Sequence, residues 1–286
     1  MVILFNNLTA EEAETYALVL ASSAIAHRTR KGPQGWELIV ETEDFETAFE
    51  AIREYLVENR QAVPVPGGIP AAVYQRNFSG IWVALGLLVC HLTVVTHLES
   101  ATIVKTFGAS ARHILDGEYY RCVTALMLHG DVTHLVSNMV GIAIFGTAVC
   151  AVTGLGVGWM MILMTGLIGN FLNALLYQTE HLSVGASTAI FGAIGILGAY
   201  QFMRRFRQPG QRLKAYLPLG AGLALLAFLG AGARSDLMAH LFGFAVGIAA
   251  GGIYGSTVKQ PLPKSTQNGF LVTAAVIVAF AWLKAF

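Results

Sequence analysis

The chain has 286 residues, of which 55% are hydrophobic and 12% are charged, and its mean hydropathy is +0.60. The charged share is about half of that usual in soluble globular domains, so the composition excludes an ordinary soluble protein and indicates a membrane protein. A formal net charge of +1 gives no reason to expect nucleic acid as a partner.

Residues 1–60 carry most of the acidic residues and show mixed periodicity. Thr9 precedes Glu11 and Glu12, which is typical of a helix N-cap with acidic residues in the first turn. The pattern predicts strands and helices in the order βαββα, over residues 1–5, 10–22, 24–30, 36–41 and 42–59. We therefore expect a small soluble α+β domain that is cytoplasmic and accessory, with its own partner left open.

Residues 61–78 are rich in Pro, Gly, Val and Ala and are interpreted as a linker. From residue 79 the chain consists of apolar segments, and about 20 residues are needed to cross a bilayer. Seven spans are predicted, over residues 79–98, 134–153, 157–177, 187–203, 215–233, 237–254 and 269–286. The expected fold is an all-α polytopic membrane protein: a six-helix core at 79–254, then a linker and a seventh helix within 255–286.

Basic residues predict the orientation of these spans. The loop after the fourth span holds five of them, Arg204, Arg205, Arg207, Arg212 and Lys214. Because loops rich in Lys and Arg stay on the cytoplasmic side, the amino terminus is expected inside and the carboxyl terminus outside the cell (inner) membrane. The 35-residue external stretch at 99–133 is apolar and aromatic enough to be folded and to lie partly in the membrane interface.

Ser187 begins the fourth span at its external end. A hydroxyl there lies beside unpaired backbone N–H groups at the positive end of the helix dipole, which are the donors that an oxyanion requires. Gly185 permits a tight entry to the helix. By itself, Ser187 is more simply interpreted as a helix cap or a back-bonded helix serine.

His240 lies near the external end of the sixth span, at the same depth as Ser187. Gly243 and Gly247 follow it with the spacing that lets two helices approach closely. A neutral imidazole within reach of a serine hydroxyl is the minimal general base for acyl transfer. Alternatively, the histidine packs against another helix and bonds to a carbonyl.

The second span begins with a further polar group. His134 and Asn138 are four residues apart and share a helix face, which suits a supplementary oxyanion hole. His129 precedes them, so a histidine-ligated metal and plain interhelical hydrogen bonding are the alternatives. The spans contain no HExxH and no suitably placed carboxylate, and no metal is expected. Phe191, four residues after Ser187, is placed to stack on His240 or simply to fill the core.

Four segments, in this order and spacing, resemble the sequence pattern of the rhomboid family. They are Tyr120-Arg121 in the long loop, His129 with His134-x-x-x-Asn138, Gly185-x-Ser187 with Phe191-Gly192, and Ala239-His240-x-x-Gly243-x-x-x-Gly247. The resemblance covers the predicted core at 79–254. It is to bacterial members with an amino-terminal cytoplasmic domain and a seventh carboxyl-terminal span.

The resemblance implies an intramembrane serine protease that cleaves membrane-spanning segments of single- or multi-span proteins near the external face. It implies that Ser187 is the nucleophile and His240 its base, that an acyl-enzyme forms, and that His134, Asn138 and the Ser187 N–H stabilise the oxyanion. Gly185, Phe191, His129, Arg121, Gly243 and Gly247 would support them. No cofactor is implied. The family position after the serine is usually Gly and here is Thr188, which puts the width of the cavity and the rate in doubt.

Two other functions compete with this interpretation. A transporter or channel would spread polar residues through the membrane depth and often repeat its halves, whereas here they cluster at one side without an internal repeat. A catalytically silent binding protein on the same fold would lack the serine or the histidine, and this chain has both.

Overall fold

The computed structural model describes residues 1–32, 35–59, 77–96, 100–208, 210–230, 236–258 and 262–285. The chain divides into two compact units, Met1–Gly68 and Ile69–Phe286. Of the predicted linker at 61–78, only the last two residues are among those described.

The first unit has the predicted βαββα order. Its elements are β1 (Val2–Leu8), α1 (Ala10–Ser22), β2 (His27–Lys31), β3 (Trp36–Val40) and α2 (Phe45–Asn59). The strands form an antiparallel sheet in the order β1-β3-β2. β1 runs three residues beyond its predicted end, and its pairing with β3 shifts register twice. The predicted α+β region is therefore confirmed.

Local chemistry explains how α1 begins and what it covers. Thr9 accepts a hydrogen bond from the Glu12 N–H, and the Glu12 carboxylate accepts one from the Thr9 N–H, which is a complete capping box. Leu20 from α1, Leu38 from β3 and Ile52 from α2 are all fully buried in one core. The helices thus close over one face of the sheet.

The second unit is helical. Its helices are α3 (Ser79–Thr96), α4 (Ser100–Phe107), α5 (Ala111–Leu115), α6 (Arg121–Thr124), α7 (Val132–Gly141), α8 (Thr147–Thr153), α9 (Leu155–Tyr177), α10 (Ser187–Phe206), α11 (Arg212–Ala215), α12 (Leu217–Leu229), α13 (Leu237–Thr257) and α14 (Lys264–Ala285). A π-helical turn at Ile142–Gly146 joins α7 and α8, and two short strands, β4 (Ala109–Ser110) and β5 (Leu182–Ser183), pair antiparallel.

Six helical rods among the described residues are long and apolar enough to cross a membrane. They are Ser79–Thr96, Val132–Thr153, Leu155–Tyr177, Arg212–Leu229, Leu237–Thr257 and Lys264–Ala285. The expectation of an all-α polytopic membrane protein is confirmed. α10, the predicted fourth span, is not one of the six. It has 20 residues and packs against α9, α12 and α13, with most of its side chains buried. A helix surrounded by protein needs less apolar surface than one that faces lipid.

Glycines bring α10 and α13 into backbone contact. A Cβ at Gly243, Gly247 or Gly251 would meet the carbonyl oxygen of Thr188, Gly192 or Ile196, respectively. Both series repeat every four residues, so the two helices are in contact along a continuous stripe.

The connection between α3 and α7 is folded rather than extended. α5, α6 and β4 pack with α9 around Ile114 and Cys122. The buried Arg121 guanidinium donates to the Glu118 carboxylate at 2.6 Å and to the Lys105 and Gly108 carbonyls at 3.0 and 3.2 Å. Arg121 therefore holds α4 against α6. Placement of this segment in the membrane interface stays a prediction.

α14 is attached to α9 near its first turn and to the α4–α6 region near its last turn. Gln267 accepts a hydrogen bond from the Val157 N–H at 3.0 Å and donates one to the Thr153 carbonyl at 2.9 Å. At the other end, the Trp282 indole N–H lies 3.0 Å from the Met127 sulfur, and its ring packs on Phe107. The seventh helix is thus an integral part of the bundle.

Candidate active site

The segment that enters α10 fixes the position of Ser187. Gly185 has a φ of +120°, which favours glycine, and its N–H donates to the Ala125 carbonyl at 2.9 Å. A Cβ at Gly185 would lie 2.6 Å from both Cε1 and Nε2 of His134. Gly185 is therefore required both by backbone conformation and by space. Ser187 follows as the first residue of the 20-residue helix and is partly exposed.

Ser187 and His240 are in direct contact. The Ser187 Oγ lies 2.8 Å from the His240 Nε2, although the two residues are 53 positions apart in the chain. His240 is in the first turn of α13 and is 5% exposed. Because α10 and α13 are in backbone contact at Gly243 and Thr188, this pair lies beside the first contact of the glycine stripe.

A backbone carbonyl determines the tautomer of His240. Its Nδ1 lies 3.3 Å from the Gly230 carbonyl oxygen at the end of α12. Since a carbonyl only accepts hydrogen bonds, Nδ1 carries the proton of the neutral ring, and Nε2 is left as the acceptor for the Ser187 hydroxyl. No side-chain motif in the sequence indicated this contact.

Phe191 lies beside the His240 ring, with ring centroids 4.7 Å apart and planes inclined at 32°. One turn separates Phe191 from Ser187 on α10. The phenyl ring therefore restricts rotation of the imidazole.

His134 and Asn138 approach the nucleophile through Gly185. The Asn138 Nδ2 lies 3.6 Å from the point that a Cβ of Gly185 would occupy, close to the His134 ring. One Asn138 N–H donates to the His134 carbonyl at 2.8 Å, and an amide has a second. The His134 N–H itself is capped by the Asp131 carboxylate at 2.8 Å. The structure thus brings both predicted oxyanion donors to the entry of α10.

His129 is buried behind this group. Its ring meets His134 with centroids 5.3 Å apart and His91 with centroids 6.5 Å apart, both edge to face. Burial, with the nearby His134 and His91, lowers the pKa of His129 to about 4, so that its ring is neutral. His91, on α3, was not among the predicted site residues. Within the described residues, no group of three or more His, Cys, Asp or Glu side chains is arranged to hold a metal ion.

Three predicted supporting residues have other surroundings. Arg121 is bonded within the α4–α6 region, where its hydrogen bonds go to Glu118 and to the Lys105 and Gly108 carbonyls. Gly243 and Gly247 lie on the α10 interface, against Thr188 and Gly192. Their part is to allow the helices to approach.

Thr188, the residue after the predicted nucleophile, is 2% exposed. Its Cγ2 lies 2.6 Å from the position of a Cβ on Gly169 and 3.1 Å from that of a Cβ on Gly243. The threonine side chain thus occupies space left by glycines on α9 and α13.

The sequence analysis did not predict one polar cluster, which is centred on Asp236. Asp236 caps α13, with its Oδ1 accepting from the Ala239 N–H at 3.1 Å. Its Oδ2 accepts from the Asn173 Nδ2 and the His181 Nε2, each at 2.6 Å. The only sequence signal was an aspartate one helical turn before His240, and nothing in the sequence indicated partners more than 50 residues away.

Comparisons with known proteins match the part of the chain that contains this site. A family model described as the rhomboid domain matches residues 116–257. YdcA of Bacillus subtilis (strain 168) is 34% identical over 137 residues, which cover 47% of this chain and 66% of YdcA. Rhomboid protease GluP of the same organism is 27% identical over 220 residues, covering 74% of this chain and 41% of GluP. Rhomboid-like protease 3 of Toxoplasma gondii is 28% identical over 190 residues, covering 64% of this chain and 72% of that protein.

Proposed function

The chain belongs to the rhomboid family, and from that premise we propose that it is an intramembrane serine endopeptidase with Ser187 as nucleophile and His240 as general base. The observation that carries the proposal is the 2.8 Å contact between the Ser187 Oγ and the His240 Nε2 at one end of a bundle of membrane-capable helices. A serine, a neutral histidine and a helix amino terminus together supply what acyl transfer needs.

In the first step, the Ser187 Oγ attacks the scissile carbonyl carbon and its proton moves to the His240 Nε2. The resulting tetrahedral intermediate collapses, the peptide C–N bond breaks, and His240 returns the proton to the leaving amine. This leaves an acyl-enzyme on Ser187. Water then attacks the ester, His240 accepts a proton from it, and the new carboxyl product leaves as Ser187 regains its hydrogen.

The Gly230 carbonyl and Phe191 take over the orienting role of a third triad member. The carbonyl selects the tautomer in which Nε2 is free to accept, and the phenyl ring limits rotation of the imidazole. When His240 becomes protonated, the Nδ1–H bond to a carbonyl dipole also stabilises the positive charge. A carboxylate in contact with His240 is not required for this mechanism.

The oxyanion would be stabilised from two sides. The Ser187 N–H belongs to the first turn of α10, where backbone donors have no intrahelical acceptor. His134 and the second N–H of Asn138 lie at Gly185, two residues before the nucleophile. Hydrogen bonds from such preorganised donors strengthen as the charge develops.

The substrates in this proposal are membrane-spanning segments of other single- or multi-span proteins. The candidate site lies where α7, α10 and α13 begin, and the basic cluster lies at the far end of α10. With that cluster cytoplasmic, the site opens toward the external face of the cell (inner) membrane. The amino terminus is then cytoplasmic and the carboxyl terminus external, and the Met1–Gly68 unit has an accessory role toward a cytoplasmic partner.

A fluorophosphonate probe tests the proposed nucleophile without any knowledge of the natural substrate. We expect purified wild-type protein to be labelled and the adduct to map to Ser187 by peptide mass spectrometry. Ser187→Ala removes the nucleophile and His240→Ala removes the base, so both should leave labelling at background. Labelling of another residue, or equal labelling of folded Ser187→Ala, would refute the assignment. A folded wild type that is never labelled would favour a catalytically silent binding protein.

A further inference from the structure

The carboxylate of Asp236 is bonded at both oxygens. Oδ1 caps α13 through the Ala239 N–H, and Oδ2 accepts from Asn173 and His181. The side chain is 12% exposed. Burial alone would raise the pKa of Asp236, but hydrogen bonds from His181 and the Ala239 amide hold that pKa below its usual value. Asp236 is therefore an anion at neutral pH.

The three hydrogen bonds come from three separate elements. Ala239 belongs to α13 and Asn173 to the last two turns of α9. His181 lies in the connection between α9 and α10. Since an ionised carboxylate only accepts, the His181 Nε2 carries a hydrogen in this contact. The His181 ring is also stacked on Tyr177, with centroids 3.8 Å apart, which restricts its orientation.

Two of these elements, α13 and the connection between α9 and α10, lead to the two reacting side chains. The backbone carbonyl of Asp236 accepts the His240 N–H at 3.1 Å, so Asp236 sets the first turn in which His240 lies. His181 stands six residues before Ser187, and its own carbonyl accepts the Ala111 N–H at 2.8 Å. Between them, β5 pairs with β4. The connection is thus fixed along its length from His181 to the nucleophile.

We propose that Asp236 and His181 form a clasp that positions the general base against the nucleophile, with Asn173 as its third member. The clasp ties the start of α13 to the segment that leads into α10, and it thereby maintains the 2.8 Å contact between His240 and Ser187. The inference rests on the proposed function and adds positioning residues to the same site. Neither Asp236 nor His181 touches the reacting atoms.

A helix cap alone would need only the Oδ1 contact with Ala239. The test therefore uses variants that separate the cap from the clasp. Asp236→Ser retains a good N-cap and loses the contacts of Oδ2. His181→Ala removes the donor from the connection, whereas His181→Gln retains an N–H at a similar reach. Glu180→Gln is the matched control, because Glu180 is the neighbouring residue and forms an exposed ion pair with Arg112 that contributes little.

The measurement is cleavage of a reconstituted single-span substrate, with kcat and KM determined separately, and thermal unfolding of each variant in the same detergent. We expect Asp236→Ser and His181→Ala to lower kcat by about 10- to 100-fold with KM within about twofold, as for a misplaced catalytic group. His181→Gln should recover most of kcat, and Glu180→Gln should match wild type. The double variant Asp236→Ser/His181→Ala should have a kcat no lower than that of the slower single variant, because both substitutions break the same hydrogen bond.

A wild-type kcat in His181→Ala, or a kcat in His181→Gln as low as in His181→Ala, would overturn the clasp. A loss that follows unfolding in every variant would overturn it as well. Failure of the proposed function itself is distinguishable, because then wild-type protein would neither cleave the substrate nor react with the fluorophosphonate probe.

Discussion

The two units of the chain are packed with different residues. In Met1–Gly68, large apolar side chains such as Leu20, Leu38 and Ile52 fill the space between the sheet and two helices. In Ile69–Phe286, α10 and α13 meet through Gly243 and Gly247 against backbone carbonyls. The first unit is packed by large apolar side chains, whereas α10 and α13 of the second unit are in contact through their backbones.

In our proposal the first unit lies in water and the second in lipid, and these surroundings account for the difference. Water drives large apolar side chains into a core, but lipid tails are as apolar as leucine and give helices no such reason to associate. Helices in a bilayer associate through close packing and polar contacts, which small residues permit. The same close packing places Ser187 within hydrogen-bond distance of His240. In the second unit, the residues that build the fold therefore also build the site.

The largest expected effect comes from filling the stripe between α10 and α13. Gly247→Leu places a side chain where the Gly192 carbonyl lies, so the helices must separate and we expect loss of the folded bundle. Even small overpacking costs about 1–3 kcal/mol. Gly252→Leu is the matched control, because a Cβ at Gly252 meets nothing within 4 Å. Thermal unfolding in detergent measures the stability of Gly247→Leu and of Gly252→Leu. Equal stability of the two variants would contradict the close α10–α13 contact described here.

A cavity in the core of the first unit should affect only that unit. Leu38→Ala removes a side chain that is 0% exposed, and we expect the free energy of unfolding of that unit to fall by about 2–5 kcal/mol. Labelling of Ser187 should stay at the wild-type rate, because the unit is accessory in our proposal. Leu18→Ala, at a position that is 66% exposed, is the control. Loss of labelling in Leu38→Ala would show that the amino-terminal unit is needed for activity.

The smallest expected effect is at the start of α1. Thr9→Ala removes the capping box, and such caps contribute about 0.5–2 kcal/mol. Denaturant unfolding of the first unit should shift by this amount, with no change in Ser187 labelling. Thr15→Ala, which loses only a hydroxyl bond to the Glu11 carbonyl within the same helix, should shift it less. A larger shift in Thr15→Ala would contradict the assigned cap.

The sequence predicted those parts of the site that depend on one helix turn. Gly185, Ser187 and Phe191 follow one another along the start of α10, and His240 and Gly243 share the start of α13. Their spacing placed them on shared helix faces in the prediction, and the resemblance to the rhomboid pattern gave them their roles. Hydrogen-bond chemistry also predicted the cap at Thr9.

Contacts that depend on tertiary placement were not predictable. The Gly230 carbonyl orients His240, but a backbone group has no sequence signature. His181, Asn173 and Asp236 meet only because three connections end at one point. Hydropathy also has a limit, because it indicates contact with lipid. α10 packs against α9, α12 and α13 and is less apolar than the helices at the periphery.

The most direct test of the central claim is cleavage of a single-span substrate reconstituted in lipid with wild type, Ser187→Ala and His240→Ala, after all three are shown to be folded. The account predicts cleavage within or next to the spanning segment by wild type and none by either variant, since the nucleophile and its base are each indispensable. Equal cleavage by all three proteins would contradict it, because the reaction would then proceed without the Ser187–His240 pair.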